Sequence, residues 1–216
     1  MEITTELCEI VGAVIGDGNL WTDGRRYRVE MTGHPELDRD YFVYLDNLLF
    51  KQFGKRPYKA RVRDRALYMR LQQKSAFELL TGLGIHAGRG KALAVEIPAA
   101  IREKGWEYAK HTLRGIMDTD GTVFFSKKTY KTKVYPTLEI TTCSKKLAHQ
   151  IAELLIQQNF RAKLRVHTRA GFNPEFKVAL YGHRMISRWL NEIGFSNRKH
   201  INKLVATNSI QPNTPQ

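Results

Sequence analysis

Along the chain, apolar residues recur first with helical spacing and then with strand alternation, and the whole succession occurs twice. Leu7, Ile10, Val11, Val14 and Ile15 fall at offsets 0, 3, 4, 7 and 8, one face of a helix that Thr4 or Thr5 can cap at its start and Gly18 at its end. Two strands follow, Asn19 to Trp21 and Arg26 to Thr32, around a turn at Asp23-Gly24. In the second, Tyr27, Val29 and Met31 alternate with Arg26, Arg28 and Glu30. Tyr41, Phe42, Leu45, Leu48 and Leu49 mark an amphipathic helix to about Gln52, stopped by Phe53-Gly54. Tyr58 to Arg63 and Ala66 to Leu71 predict a second strand pair, and Ser75 to Leu83 a shorter helix. The order is αββαββα. Gly82 to Gly90 is glycine-rich and leads to Lys91 and the segment Ala92 to Pro98, which the pattern leaves unassigned.

After Ile101 to Gly105 the pattern begins again. Ala109, Leu113, Ile116 and Met117 line a helix ending at Gly121. Val123 to Ser126 and Thr137 to Thr141 are strands joined by a basic loop with Lys127, Lys128, Lys131 and Lys133. Leu147, Ile151, Leu154 and Leu155 mark a helix, Lys163 to His167 and Phe176 to Leu180 two strands, and Met185, Ile186, Trp189, Leu190 and Ile193 the last well-defined helix. The offsets between Asp17 and Asp120 and between Gly84 and Gly194 are nearly equal, so the chain is an internal duplication. The expected fold class is α+β: two pseudo-symmetric αββαββα halves, 1–105 and 106–207, each with an antiparallel sheet. The single chain then does the work of a two-fold dimer and acts as a monomer. The polar stretch 208–216, with two prolines, is expected to be disordered.

Composition adds a partner. The 216 residues are 42% hydrophobic, enough for a self-sufficient core, and 35 Lys and Arg against 21 Asp and Glu leave a net charge of +14. That balance points to a polyanion, with nucleic acid ahead of a membrane surface because the basic residues lie mostly in strand-like segments. Arg26 and Arg28, Arg61, Arg63 and Arg65, and Lys163, Arg165, His167 and Arg169 fall on or beside strands whose alternate residues are apolar. One sheet face can therefore meet DNA while the other meets helices. Arginine suits bidentate contacts with guanine and lysine suits phosphate. The two cysteines, Cys8 and Cys143, lie in or beside apolar segments, which excludes a disulfide framework and disfavours zinc. The polar, non-basic opening of the chain and the lack of a long apolar run imply a cytoplasmic protein without a targeting or membrane segment.

The chemistry lies in the duplicated helix. Gly12 and Gly16 in one copy, Gly115 and Thr119 in the other, are small residues four apart, a spacing that lets two helix backbones approach closely. Each copy closes on Asp-Gly, at Asp17-Gly18 and Asp120-Gly121. Two helices side by side therefore bring two carboxylates and two sets of unpaired terminal carbonyls together. Close carboxylates repel unless a cation lies between them, and a hard divalent ion, Mg2+ or another such as Mn2+, fits oxygen ligands.

The stretches Ile10 to Gly18 and Leu113 to Gly121 resemble the two signature motifs of the LAGLIDADG homing endonuclease family in its single-chain, double-motif form. The second matches at Leu113, Gly115, Asp118, Asp120 and Gly121. The first keeps Gly12, Asp17 and Gly18 but has Ile15 where the second has Asp118. The resemblance implies a saddle of two sheets in the DNA major groove and hydrolysis of both strands, one by each half, to leave short 3′ overhangs. It assigns Asp17 and Asp120 to divalent metal, with backbone carbonyls of Gly16 and Thr119 added. A basic residue late in each half, matched here by Lys91 and Lys199, assists the attacking water or stabilises charge; Arg89, Arg198 and Lys203 are the alternatives. At the ends of the second strands, where the family often has Gln or Lys, this chain has Thr32-Gly33-His34 and Thr141-Thr142-Cys143. The implied function is a site-specific double-strand DNA endonuclease. The competing readings are an intron RNA maturase and a non-cleaving DNA-binding regulator of the same fold, with a free-standing or intron-encoded origin preferred to an intein.

Overall fold

The computed structural model describes residues 2–88, 90–126 and 135–207, so Lys127, Lys128, Lys131, Lys133, Arg89 and the stretch 208–216 lie outside the described residues. The first half runs α1 (Thr5–Ile15), β1 (Gly18–Thr22), β2 (Tyr27–Gly33), α2 (Arg39–Phe53), β3 (Tyr58–Arg63), β4 (Ala66–Gln72) and α3 (Lys74–Gly82). Two short helices that the apolar pattern did not show follow: α4 (Lys91–Ala94), which takes up the start of the unassigned segment, and α5 (Ala99–Glu103), just beyond its end. The second half runs α6 (Trp106–Asp120), β5 (Gly121–Ser126), β6 (Tyr135–Thr142), α7 (Lys145–Gln157), β7 (Lys163–His167), β8 (Glu175–Tyr181) and α8 (His183–Glu192). A final helix, α9 (Arg198–Ala206), follows the one that the sequence marked as last. It buries little beyond His200 and Leu204, too few apolar positions to show a period.

The strand orders β1-β2-β4-β3 and β5-β6-β8-β7 are the same, all pairs antiparallel, which makes the duplication structural as well as sequential. One hydrophobic core runs through both halves and includes Leu7, Val11, Leu45, Leu71, Ile116, Leu138, Ile151 and Trp189. The halves are also tied where Ser144 donates to the Val95 carbonyl (2.6 Å) and the Ile97 amide donates to Gln150 Oε1 (2.8 Å). Both bonds are buried, so they satisfy polar groups that would otherwise destabilise the core.

Thr4 caps α1, its hydroxyl accepting the Leu7 amide at 3.1 Å. The other end differs from expectation. Gly16, not Gly18, is the residue that closes α1, and Gly18 already opens β1, paired with Met31. The strand begins so close beneath the helix that a Cβ on Gly18 would lie 2.8 Å from the Val14 carbonyl oxygen. Arg26 also departs from its expected strand. Asp23 Oδ1 accepts the amides of Arg25 (3.0 Å) and Arg26 (2.7 Å), which draws Arg26 into the turn, where it pairs with the same carboxylate.

The tightest contact in the molecule is between α1 and α6. A Cβ on Gly12 would overlap the carbonyl of Thr112, and one on Gly115 would overlap the carbonyl of Glu9 and lie 2.7 Å from the Ala13 amide nitrogen. Backbone touches backbone there, and the Thr112 hydroxyl donates across the seam to the Cys8 carbonyl at 3.0 Å. Gly12→Ala and Gly115→Ala are each expected to lower the unfolding free energy by about 2 kcal/mol or more, because a backbone obstacle cannot rotate away. Gly82→Ala, where a Cβ meets nothing within 4 Å, serves as the control and stays within about 1 kcal/mol of the wild type. Urea unfolding of the three variants checks this, and equal losses at all three positions would refute the packing assignment.

Candidate active site

The seam ends at Asp17 and Asp120. α6 continues as helix through Asp120, whereas α1 stops at Ile15 and delivers Asp17 from the link into β1, where its carbonyl accepts the Thr32 amide at 3.1 Å. The two acids meet across the seam. A Cβ on Gly16 would lie 3.4 Å from the Asp120 carboxyl carbon and would overlap the Thr119 hydroxyl, so only glycine fits at that place. Thr119 turns its hydroxyl back to the Gly115 (2.8 Å) and Ile116 (3.1 Å) carbonyls of its own helix.

Asp17 is half-buried, and Asp120 is exposed although protein lies around its carboxyl. Burial pushes the Asp120 carboxyl up to about 7; Asp17 adds to the rise, and Lys91 and Lys199 oppose it. Asp17 is also raised by burial, with Lys199 opposing, Asp38 adding and Lys91 opposing. Both acids and both lysines identified in the sequence therefore lie within electrostatic reach of one another. Among the described residues no three His, Cys, Asp or Glu side chains are grouped to hold a metal. A cation here would have two carboxylates and backbone oxygen from the protein.

The lysines are held in different ways. Lys91, on the first turn of α4, donates to the carbonyls of Val14 (2.6 Å), Gly16 (3.0 Å) and Gly18 (2.5 Å), and so satisfies the exposed carbonyl end of α1. Burial lowers its pKa to about 8, with Asp120 and Asp17 opposing the shift. The Gly16 carbonyl, expected from sequence to face a metal, is thus already shared with an ammonium group. Lys199, on the first turn of α9, pairs with Asp38 Oδ1 at 3.1 Å.

Beside the acids lies a second layer of polar groups, of which the sequence had marked Asp118 as a motif position without a role. Asp118, in the last turn of α6, is fully buried; its Oδ2 accepts the Ser196 amide at 2.8 Å and its Oδ1 has no hydrogen-bond partner. Burial pushes this carboxyl up to about 8. Glu9, 1% exposed, pairs across the seam with Arg114 and accepts the Ser196 hydroxyl at 2.6 Å. His34 lies in a turn, its Nδ1 accepting the amides of Glu36 and Leu37 (both 3.2 Å), an arrangement that serves the chain rather than a water.

The predicted basic residues fall on the sheet faces turned away from the helices. Register places Arg28, Arg61 and Arg63 on one side of the first sheet together with Trp21, Tyr68 and Arg70, while Val29, Met31, Leu67, Met69 and Leu71 face the core. Arg28 stacks on Trp21, 4.3 Å from the ring centre. Arg65 sits in the β3–β4 turn with φ 65°, exposed. On the second sheet Lys163, Arg165 and His167 alternate with Leu164 and Val166 and lie opposite Ala179, Lys177 and Glu175. Arg165 is 5.3 Å from the Tyr181 ring, and Arg169 lies in the following loop over Phe172 at 4.2 Å. The aromatic partners, Trp21, Tyr68 and Tyr181, were missed in the sequence because alternation alone does not separate a core aromatic from an outward one.

A duplicated helix-and-sheet unit with paired acids at its centre and basic, aromatic-studded outer faces defines the class. Residues 107–194 match the LAGLIDADG-like domain family. Over 199 residues the chain is 30% identical to a replication factor C small subunit of Thermococcus kodakarensis, 91% of this chain but 20% of that protein. A replication factor C small subunit of Methanocaldococcus jannaschii is 28% identical over 204 residues, 93% of this chain and 10% of that one. The chain thus spans a fifth or less of the curated relatives it matches. Among solved structures, the homing endonuclease I-DmoI in complex with DNA and Mn superposes with a TM-score of 0.61 at 16% identity, covering 89% of this chain and 97% of that one. The LAGLIDADG meganuclease I-AabMI bound to uncleaved DNA gives 0.57 at 13% identity, covering 96% and 90%. The resemblance to the LAGLIDADG family holds: residues 107–194 are a LAGLIDADG-like domain, and the chain as a whole has the fold of LAGLIDADG homing endonucleases.

The buried Asp118 has a consequence for stability. A carboxyl whose folded pKa, about 8, exceeds its ordinary 3.8 keeps in the folded state a proton that the unfolded chain has released, so its contribution to stability is lost as pH rises between those values. Asp118→Asn removes that loss. Its unfolding free energy, measured in urea, is expected to rise relative to the wild type between about pH 5 and pH 8; a constant difference would show that Asp118 carries no such proton.

Proposed function

We propose that this chain is a site-specific DNA endonuclease of the homing type that hydrolyses both strands of a duplex with a divalent cation. The observation that carries the reading is the meeting of Asp17 and Asp120 across the glycine seam, with Lys91 and Lys199 in electrostatic reach of both. Two half-buried or protein-lined carboxylates, one of which raises the proton affinity of the other, are a place where a cation relieves repulsion, which is the fit expected of Mg2+ or Mn2+. I-DmoI has been crystallised with DNA and Mn, and a variant of it with its target DNA in the presence of Mg, which supports divalent ions for this fold.

Asp17 and Asp120 would hold the metal, with the Thr119 carbonyl beside them, while the Gly16 carbonyl accepts the Lys91 ammonium. When bound, the ion supplies positive charge that offsets the charge developing on a phosphodiester during hydrolysis. Lys91 and Lys199 add ammonium groups at the same place, where they can bind phosphate oxygens or hold a water. The outward faces, with Arg28, Arg61 and Arg63 on one sheet and Lys163, Arg165 and His167 on the other, would straddle the duplex, and the two cuts at the paired acids would leave short 3′ overhangs. Arg26, Arg65, Arg169 and the lysines at 127, 128, 131 and 133 would add phosphate contacts at the rims. Each half addresses one strand, so a monomer suffices for a double-strand cut. Among the described residues no helix is long and apolar enough to cross a membrane.

Two outcomes are expected. Incubated with a randomised duplex library and Mg2+, the protein cuts one sequence and stops cutting in EDTA; Asp17→Asn combined with Asp120→Asn abolishes cutting while binding changes by less than about tenfold. Cutting retained by that double variant would sink the assignment of the acids. Affinity for the selected duplex is expected to fall at least about 10³-fold between roughly 50 and 200 mM salt, read by fluorescence anisotropy. A flat salt response would rule out phosphate contacts as the main source of binding. Tight metal-independent binding without cutting would favour the regulator reading, and stimulation of intron splicing the maturase.

A further inference from the structure

The repeat breaks its symmetry at one buried carboxylate. Asp38 immediately precedes α2, the place where Asp ordinarily caps a helix, yet its side chain makes no cap bond to α2. In the second half the residue before α7 is Ser144, which does cap, accepting the Leu147 amide at 3.2 Å. Asp38 instead turns toward the opposite half. Its Oδ1 accepts Asn197 Nδ2 at 2.7 Å and faces Lys199 Nζ at 3.1 Å, while its Oδ2 accepts the His34 amide at 2.7 Å. Gly33 leaves the room: a Cβ there would stand 3.1 Å from Asp38 Oδ2 and closer still to the Phe42 ring.

The other end of this chain of contacts reaches the seam. Asn197 Nδ2 also donates to the Asp118 carbonyl at 3.0 Å, and Asn197 Oδ1 caps α9 by accepting the Lys199 amide at 3.2 Å. Lys199 is thus gripped at its backbone by its neighbour Asn197 and at its tip by Asp38, which lies far away in the chain and also holds the Asn197 side chain. Burial works against ionisation of Asp38, but the bonds from Asn197 and His34 and the Lys199 charge hold its carboxyl below the ordinary range. Lys91 has nothing comparable: its ammonium is held by three backbone carbonyls of its own half.

We propose that Asp38 is a positioning residue, supplied by the first half, that aims the Lys199 ammonium at the paired acids, so that one of the two strand cuts depends on Asp38 and the other does not. The inference rests on the endonuclease reading above. A side chain loosened from its support by an ångström loses much of its effect on a reacting group, whereas a purely structural ion pair would change both cuts alike.

The test uses the full chain, Mg2+ and the duplex selected by the wild type, labelled differently on its two strands, with protein in excess. Asp38→Ala is expected to slow one strand at least about tenfold more than the other, so that nicked duplex accumulates, with duplex binding within about twofold of wild type. Asp38→Glu is expected to recover part of the lost rate. Added to Lys199→Met, Asp38→Ala is expected to have no further effect, because both substitutions remove one interaction. Should Asp38→Ala fail to fold, Asp38→Asn keeps the shape and an acceptor while removing the charge, and the same strand asymmetry is expected. Equal slowing of both strands, or additive losses in the double variant, overturns the inference while leaving the endonuclease reading intact. A wild-type protein that cuts neither strand overturns that reading and the inference with it.

Discussion

Two helix backbones in contact, with no side chain between them at Gly12 and Gly115, set the geometry on which the rest of this molecule depends. The contact lets α1 and α6 lie side by side through their length, so their ends arrive together and bring Asp17 and Asp120 with them. Each helix then feeds directly into the first strand of its sheet, at Gly18 and at Gly121, which places the two sheets on either side of the same seam. Any side chain at the crossing would separate the acids as well as the halves. Stability and chemistry are therefore controlled by the same glycines, and strengthening one cannot be separated from changing the other.

Bringing carboxylates together in a protein-lined place has an electrostatic cost, and the surrounding residues are arranged around it. Lys91 neutralises the carbonyl end of α1 and lies near both acids, Lys199 lies near both from the other side, and burial raises the proton affinity of Asp17, Asp118 and Asp120. The Glu9–Arg114 pair, joined by Ser196, spans the seam farther back. The buried ones among these groups are poorly solvated and so respond strongly to a small displacement or an approaching charge.

The repeat is faithful in topology and loose in detail. Ile15 faces the role that Asp118 takes in the second half, and only Asp118 receives the amide of the segment leading into α9. Asp38 and Ser144 occupy matching places but act on different elements. The divergence reaches the contacts between the halves, since Lys199 relies on Asp38 of the other half while Lys91 is held by backbone carbonyls of its own. The inequality of the halves, visible in the sequence at Ile15 against Asp118 and at Val11 against Arg114, extends in the structure to how each basic group is held.

By itself the sequence determined the helices and strands of both halves, with the bounds of β3 and β7 as read from the pattern, and the pairing of α1 with α6. It also placed the basic strand residues outward, though not the aromatic ones beside them. All of these depend on residues a few positions apart, through the 3.6 and 2 residue periods and through glycine spacing, and so are written locally. The C-terminal end of α1, the turn at Arg26 and the short helices α4, α5 and α9 escaped because they are set by single bonds or by too few apolar positions to show a period. The grip on Lys199 was decided only in three dimensions. Asn197 and Asp38 are 159 residues apart, and Lys91 meets Gly18 across 73, separations at which no pattern in the chain distinguishes a contact from a coincidence. Those bonds exist because the seam and the common core bring their partners together, and a carboxylate that caps a helix in one packing serves a lysine in another.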